Sequence, residues 1–378
     1  MITRHQIDLV LALSQQVPLQ VWDQKGMLDR ELALYRTMQP HLRSITLLTD
    51  GDRHEGRYQP QLAGMHLQYN RWELRPWHYQ RWLKMPWRRW KQGHVLFKSN
   101  QLSSAPNAID LARYYGQKSI TRCGYLLSEF AALHHGPYSK ARLRAIIREQ
   151  RAFHGANRAF VTTPQMAQLL TNRYGLSSEQ IRIQPNYVDC TQFTPTTEVR
   201  KPGPLRLLFV GRLHPEKNLL NLLQAMVGLN DLHLDLIGQG DQQAELEQFI
   251  EHHQLSVTLH GRVAHNDLVL FHHNSDLFVL PSLQEGHPKA LLEAMACGSP
   301  ILTTDAPGNR DVVQHGHTGW ISATDAPALQ QSLKHLQSHP ELRHQLGVQA
   351  RQYAETEVSL TAIAQRELTL YEEIFNTP

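Results

Sequence analysis

From residue 205 onward, short apolar runs alternate with stretches of helical spacing. LRLLFVG (205–211), LHLDLIG (232–238), SVTLHG (256–261), DLFVLPS (276–282) and PILTTD (300–305) are brief, dense in branched residues and mostly bounded by Gly or Pro. Such runs predict buried parallel strands. Between them, 218–229 spaces its leucines as a helix does, and 241–254, 265–274 and 288–297 predict further helices. The first half has the same rhythm less cleanly, with strands predicted at 44–49, 94–99, 118–123, 158–163 and 181–186. Its helices are predicted at 27–40, 106–116, 138–154 and 164–174. Strand alternating with helix implies doubly wound parallel sheets. The stretch 190–204 is rich in Thr and Pro, lacks periodicity, and predicts the hinge. We therefore expect α/β architecture in two doubly wound domains, 1–195 and 196–360. A terminal helix within 361–378 would pack back toward the first.

The 378 residues suit about two domains of ordinary size. At 41% apolar and 19% charged, both can carry a core. The charge is unevenly placed. Residues 1–196 hold 26 Lys/Arg against 13 Asp/Glu, a net +13, and the remainder hold 12 against 21, a net −9. A basic first half points to an anionic partner there. Cys123, Cys190 and Cys297 are odd in number and far apart, which argues against a disulfide framework or a cysteine zinc site and fits a reducing cytosol. No apolar run is long enough to span a bilayer, and the N-terminal run, cut by Asp8, lacks a signal-peptide cleavage pattern.

Two segments concentrate chemistry. Gly211-Arg212-Leu213-His214-Pro215-Glu216-Lys217-Asn218 follows a predicted strand and opens a helix. A glycine turn at a helix start presents backbone N–H groups and a positive dipole to an anion, and Arg212 and Lys217 add cations. The residues alone serve equally as a turn with solvated charges. Glu285-Gly286-His287-Pro288-Lys289-Ala290 leads into Leu291–Gly298 and places Glu285 and Glu293 eight apart. Carboxylates there suit paired hydroxyls, and the N–H groups from Gly286 to Lys289 suit a diphosphate. Glu293 also reads as an ordinary helix residue.

GRLHPEKN, LIGQGD, LHGRV and DLFVLPSLQEGHPKALLEAMACGSPILTTDAPG, in this order over about 200–325, resemble glycosyltransferase family 4. The resemblance implies a GT-B fold, two facing Rossmann-like domains with an interdomain cleft. It implies retaining transfer of a sugar from a nucleotide-diphosphate-sugar donor to a hydroxyl of a glycan or lipid-linked acceptor, in cell-surface polysaccharide or glycolipid synthesis, without a bound metal or cofactor. By the same resemblance Arg212 and Lys217 neutralise the diphosphate, Glu285 touches the donor sugar and Glu293 holds the ribose. Arg262 and Val263 lie beside the base. Gly211 and Gly26 stand at donor-side turns, and Gly286, His287, Pro288, Lys289 and Ala290 line the donor. The lead-in IRIQPNYVDCTQFTP places Asn186 and Asp189 in register. Where many members have a histidine this chain has Arg122-Cys123-Gly124, and Arg122, with Lys98, Asn100 and Gln101, is expected on the acceptor side.

Other signals weigh less. Asp50-Gly51-Asp52 reads as a turn rather than a metal motif. Gly238-Gln239-Gly240 lacks the third glycine of a dinucleotide fingerprint, and the 23 histidines include no HExxH spacing. The segment 71–92 carries seven Lys/Arg, one Glu and most of the tryptophans. It reads as an anionic-membrane contact, a packed helix–turn–helix or a sugar-stacking surface. A cytoplasmic enzyme at the inner face of the membrane is the resulting expectation. The alternatives are a non-catalytic basic module for nucleic acid or membrane and, within enzymes, a GT-B phosphorylase or sugar-phosphate synthase. No recognisable nucleic-acid motif supports the former.

Overall fold

The computed structural model describes residues 1–14, 17–85, 88–197 and 203–376, with the side chains of 88, 89 and 133 set aside. The chain divides into two compact units, Met1–Pro185 with Ile363–Pro378, and Asn186–Ala362. Each is Rossmann-like, a parallel sheet with helices.

The first unit holds β1 (Ile7–Ala12), β2 (Ser44–Leu48), β3 (His66–Gln68), β4 (His94–Ser99), β5 (Lys118–Cys123), β6 (Arg158–Val161) and β7 (Ile181–Ile183). They pair in parallel in the order β3-β2-β1-β4-β5-β6-β7. β1 is buried along its whole length and central, so its sequence shows no alternation. Asp8, which interrupts that run, accepts hydrogen bonds from Arg43 Nε (2.9 Å) and Ser44 Oγ (2.7 Å). β1 and β3 are additions to the predicted strands.

The second unit holds β8 (Leu205–Val210), β9 (Leu232–Ile237), β10 (Val257–Gly261), β11 (Leu277–Leu280), β12 (Ile301–Thr304) and β13 (Trp320–Ser322). Their order is β10-β9-β8-β11-β12-β13. The strand order turns back between β8 and β11, and in an open parallel sheet the crevice at that reversal, beyond the carboxyl ends, is where ligands bind. Leu207, Leu208 and Phe209 of β8 pack with Leu277, Phe278 and Val279 of β11 and with Leu291 and Leu292 of the helix Lys289–Ala296 in one apolar core.

The unit boundary departs from the predicted hinge. Residues 190–197 belong to the second unit, because Phe193 is 1% exposed in its core and its carbonyl accepts from Arg351 Nη1 at 2.8 Å. Val188 also bridges to Ser359. The first crossing thus follows Pro185 rather than residue 195, and residues 198–202 of the expected linker lie outside the described residues. The helix Leu360–Asn376 carries the chain back into the first unit at Ile363. There Glu367 forms a buried ion pair with Lys98, and Gln184 Nε2 donates to Ile363 O (3.0 Å) and Glu367 Oε2 (3.1 Å).

Candidate active site

Loops after β8, β9 and β10 are laced together. Leu213 N donates to Gln239 O (3.0 Å), Gly238 N to Gly261 O (2.7 Å) and Gln242 N to Leu213 O (3.0 Å). This explains Gly238-Gln239-Gly240 without a dinucleotide. Gly238 has φ 139°, and a Cβ on it would be driven into the carbonyl of Gly211. Across the reversal, Leu283 N donates to Glu216 O at 2.8 Å, and Asn218 Nδ2 donates to Pro281 O at 3.1 Å and Thr324 O at 2.7 Å. Asn218 sits in the left-handed region (φ 59°) between a 3-10 turn, Pro215–Lys217, and the helix Leu219–Met226. The segment predicted to open a helix directly is therefore a turn first, and that turn points Lys217 toward the loop after β11.

There Lys217 Nζ lies 2.5 Å from Glu285 Oε1. The pair is nearly enclosed, with side-chain exposures of 13% and 10%. Ser282 Oγ donates to the same carboxylate oxygen at 2.7 Å. Glu285 N donates to Pro307 O at 3.0 Å, and Gly308 passes so close that a Cβ there would stand 2.5 Å from Glu285 O. Lys217 and Glu285 are thus brought together and held from three loops. Arg212 stands at the same strand end but is 69% exposed, paired with Glu216 at 2.7 Å. Glu216 is the better buried partner and also lies 3.0 Å from His214 Nδ1.

Glu293 is buried on the helix Lys289–Ala296, not exposed, and its Oε1 lies 2.8 Å from His265 Nε2. His265 follows Arg262 and Val263 beyond β10, so the loop beside the expected base and the expected ribose carboxylate meet. Arg262 is exposed and Val263 half-buried. His287 is buried, with its carbonyl accepting from Asn186 Nδ2 at 2.7 Å; Pro288 caps the helix, and Lys289 lies over the Tyr187 ring at 5.5 Å. Gly286 and Ala290 are half-buried, and so is Gly211. Sequence reasoning missed the roles of Ser282 and His265. The signal for both was position, one just before Glu285 and one just after Arg262-Val263.

Behind Glu293, His272 is 3% exposed among Phe193 and Phe278, and among the described residues neither ring nitrogen has a hydrogen-bond partner. Burial pushes its pKa down to about 4. Among the described residues no group of three or more His, Cys, Asp or Glu is placed to hold a metal ion. Asp52 caps a 3-10 turn by accepting from His54 N at 2.8 Å, as its reading as a turn required.

In the first unit one expectation changes. Lys98 is fully buried rather than lining an acceptor surface. It faces Glu367, with the rings of Tyr35 and Tyr371 at 5.2 and 5.9 Å, because the C-terminal helix covers β4. Burial pulls the Lys98 pKa down to about 8 against the opposing pull of Glu367. Burial pulls the Glu367 carboxyl upward, but the charges of Lys98 and Arg122 hold it below the usual range. Gly26 (φ 61°) is an exposed turn between the helices Leu19–Gln24 and Leu28–Met38. Asn100 and Gln101 do follow β4, where Asn100 N donates to Ala12 O at 2.9 Å at this sheet's own reversal. Arg122 is half-buried, its backbone N bonded to Ser99 Oγ at 3.0 Å. In the Trp/Arg segment, Trp90 is buried against Phe97 and Tyr115, while Trp72 and Trp77 are exposed; Trp87 lies outside the described residues.

Residues 193–353 match the family glycosyl transferases group 1. A D-inositol 3-phosphate glycosyltransferase of Pseudarthrobacter chlorophenolicus is 31% identical over 195 residues, 47% of this chain and 46% of that one. The protein named for colanic acid biosynthesis as glycosyltransferase WcaL, from Escherichia coli, is 29% identical over 274 residues, 60% of this chain and 68% of that one. The chain spans about half the length of the first curated relatives it matches. Among solved structures, HepE of Anabaena in complex with UDP and glucose superposes with TM-score 0.75 at 17% identity, covering 98% of this chain and 100% of that one. The fold is GT-B.

Proposed function

We propose that this chain, which carries a glycosyl transferases group 1 domain over residues 193–353, is a retaining glycosyltransferase using a nucleotide-diphosphate-sugar. The acceptor is a hydroxyl of a glycan or lipid-linked molecule, in cell-surface polysaccharide or glycolipid synthesis. The observation that carries the reading is the enclosed Lys217–Glu285 pair at the sheet reversal, with Glu293 and His265 on the adjoining helix and loop. In transfer, the bond from the anomeric carbon to the diphosphate oxygen breaks. The acceptor oxygen bonds to that carbon on the same face and gives its proton to the departing diphosphate oxygen. Negative charge grows on the departing diphosphate, and a cation already fixed beside it stabilises that charge without reorganising. Lys217, with Arg212 outside it, supplies this. Glu285 holds Lys217 and faces the donor sugar; Glu293, steadied by His265, takes the ribose hydroxyls. Gly211 and Gly286 to Ala290 supply close backbone, and Arg262 and Val263 flank the base. Anabaena HepE with UDP and glucose bound shares the fold and supports a nucleotide-sugar donor. The named role of WcaL supports a polysaccharide acceptor. We place the reaction in the cytoplasm, without a metal or resident cofactor.

Thermal-shift measurement against UDP, GDP, ADP and CDP tests it, since a ligand of the folded state raises its melting temperature. A shift with one of them, followed by transfer from its sugar conjugate that survives EDTA and keeps the anomeric configuration by NMR, is the expected result. No shift with any of the four in a folded sample overturns the assignment. Turnover that needs free phosphate would instead make the chain a phosphorylase.

A further inference from the structure

We propose that the outward face of the helix Lys140–Gly155 docks this protein on an anionic lipid bilayer. Ala145, Glu149, Ala152 and Phe153 turn into the first unit. Lys140, Leu143, Arg144, Ile147, Arg148 and Arg151 are exposed instead. Their spacing of three and four residues sets them in one stripe. Leu143 is 59% exposed and Ile147 42%, and Tyr138, just before the helix, is 99% exposed.

The stripe has no acidic counterpart. Glu149 is the one carboxylate between 138 and 154, and it is fully buried. It accepts from Ser128 N at 2.7 Å and from the Tyr174 hydroxyl. Arg142, which faces sideways, is already engaged with Pro137 O (2.8 Å) and Glu129. Among the described residues Lys140, Arg144, Arg148 and Arg151 form no ion pair. Four cations around two aliphatic side chains on one face match a surface that is anionic outside and apolar beneath. A nucleic acid or an acidic glycan would use the cations but leave Leu143 and Ile147 in water. The bilayer uses both.

The tryptophan segment is the weaker surface. Trp90 is buried, Trp72 is engaged edge-on by Trp82 at 4.7 Å and covered by Arg71, and Glu73 pairs with Arg53 at 3.0 Å. Among the described residues no helix is long and apolar enough to cross a membrane, so contact here is at the surface. The inference goes beyond the transferase reading and does not depend on it.

The test is sedimentation of the full chain with vesicles of phosphatidylcholine alone or with roughly one third phosphatidylglycerol, in low and high salt. The wild type is expected to bind only the anionic vesicles. Arg144→Gln with Arg148→Gln and Arg151→Gln weakens binding on the order of a hundredfold, from about fivefold per charge. The same three positions changed to Lys keep it, which separates charge from folding. Leu143→Gln with Ile147→Gln retains low-salt binding but loses what persists in high salt. The proposal is overturned if the wild type ignores anionic vesicles or if the triple Gln variant binds as the wild type. It is also overturned if Trp72→Ala with Trp77→Ala removes the binding instead, or if duplex DNA binds as tightly and independently of Leu143 and Ile147.

Discussion

Replacing Lys217 by Ala removes the cation paired with Glu285 and leaves that carboxylate nearly enclosed, with Ser282 Oγ as its side-chain donor. A fully buried pair broken on one side costs about 3–5 kcal/mol. Here both partners keep a little solvent and the Ser282 bond survives, so we expect roughly 2 kcal/mol. At about 2–4 °C per kcal/mol for a unit of this size, the melting temperature should fall by about 4–8 °C. The catalytic loss is separate. Withdrawing one fixed charge donor from a departing group typically costs about 10²–10³ in kcat. The double change Lys217→Ala with Glu285→Gln, compared with each single change, divides the two effects, because a neutral amide no longer needs the ammonium. Melting temperature should return to near the wild-type value, while kcat with the saturating donor stays low. Calorimetry and a product-release assay on the wild type and these three variants provide the measurement. If the double variant regains both stability and turnover, the lysine only holds the loop and takes no part in transfer. Turnover by Lys217→Ala alone within about threefold of the wild type would refute its catalytic role as well.

His272→Leu should stabilise the protein, because a buried ring with two unsatisfied nitrogens is replaced by an apolar side chain. The folded pKa of about 4 lies below the unfolded value, so the unfolded chain binds the proton first. Stability is full above about pH 6.5 and drains as pH falls toward 4, so at pH 5 the wild type has lost about 2 kcal/mol through this group. Urea unfolding at pH 7 and 5 should show that difference shrink in the variant. Gly238→Ala drives a methyl group into Gly211 O at a φ hostile to alanine, and should leave little folded protein by circular dichroism. Lys98→Met strands Glu367 among buried residues and should cost about 3–5 kcal/mol in denaturant unfolding, much of it recovered by adding Glu367→Leu.

The second unit was legible because each of its first five strands is a compact apolar run closed by a turn residue, and the candidate site residues sit in or just after the turns. Lys217 and Glu285 could be nominated from strand ends, and the order of strands then explains why two loops 68 residues apart meet. What stayed hidden depended on partners far along the chain. β1 reads as a short apolar run broken by Asp8, and its strand character becomes plain only once Arg43 and Ser44 are seen to satisfy that carboxylate. Lys98 looks like a charge at a strand end, and nothing nearby tells that a helix more than 250 residues later brings Glu367 to it. The predicted hinge failed for a related reason. Thr- and Pro-rich composition marks an absence of regular structure, but Phe193 within it fills a core, so irregular backbone was mistaken for a free linker.

The discontinuity of the first unit has a consequence for the protein's synthesis. Residues 1–185 leave the ribosome first, yet the carboxylate that neutralises Lys98 is on the helix Leu360–Asn376, and Gln184 waits for Ile363 and Glu367 as well. The second unit is a single uninterrupted stretch and can close as soon as residue 362 has emerged. The usual order, amino-terminal part first, is therefore reversed at completion. The nascent chain carries an unfinished first unit, its Lys98 ammonium not yet neutralised, until the helix Leu360–Asn376 has emerged.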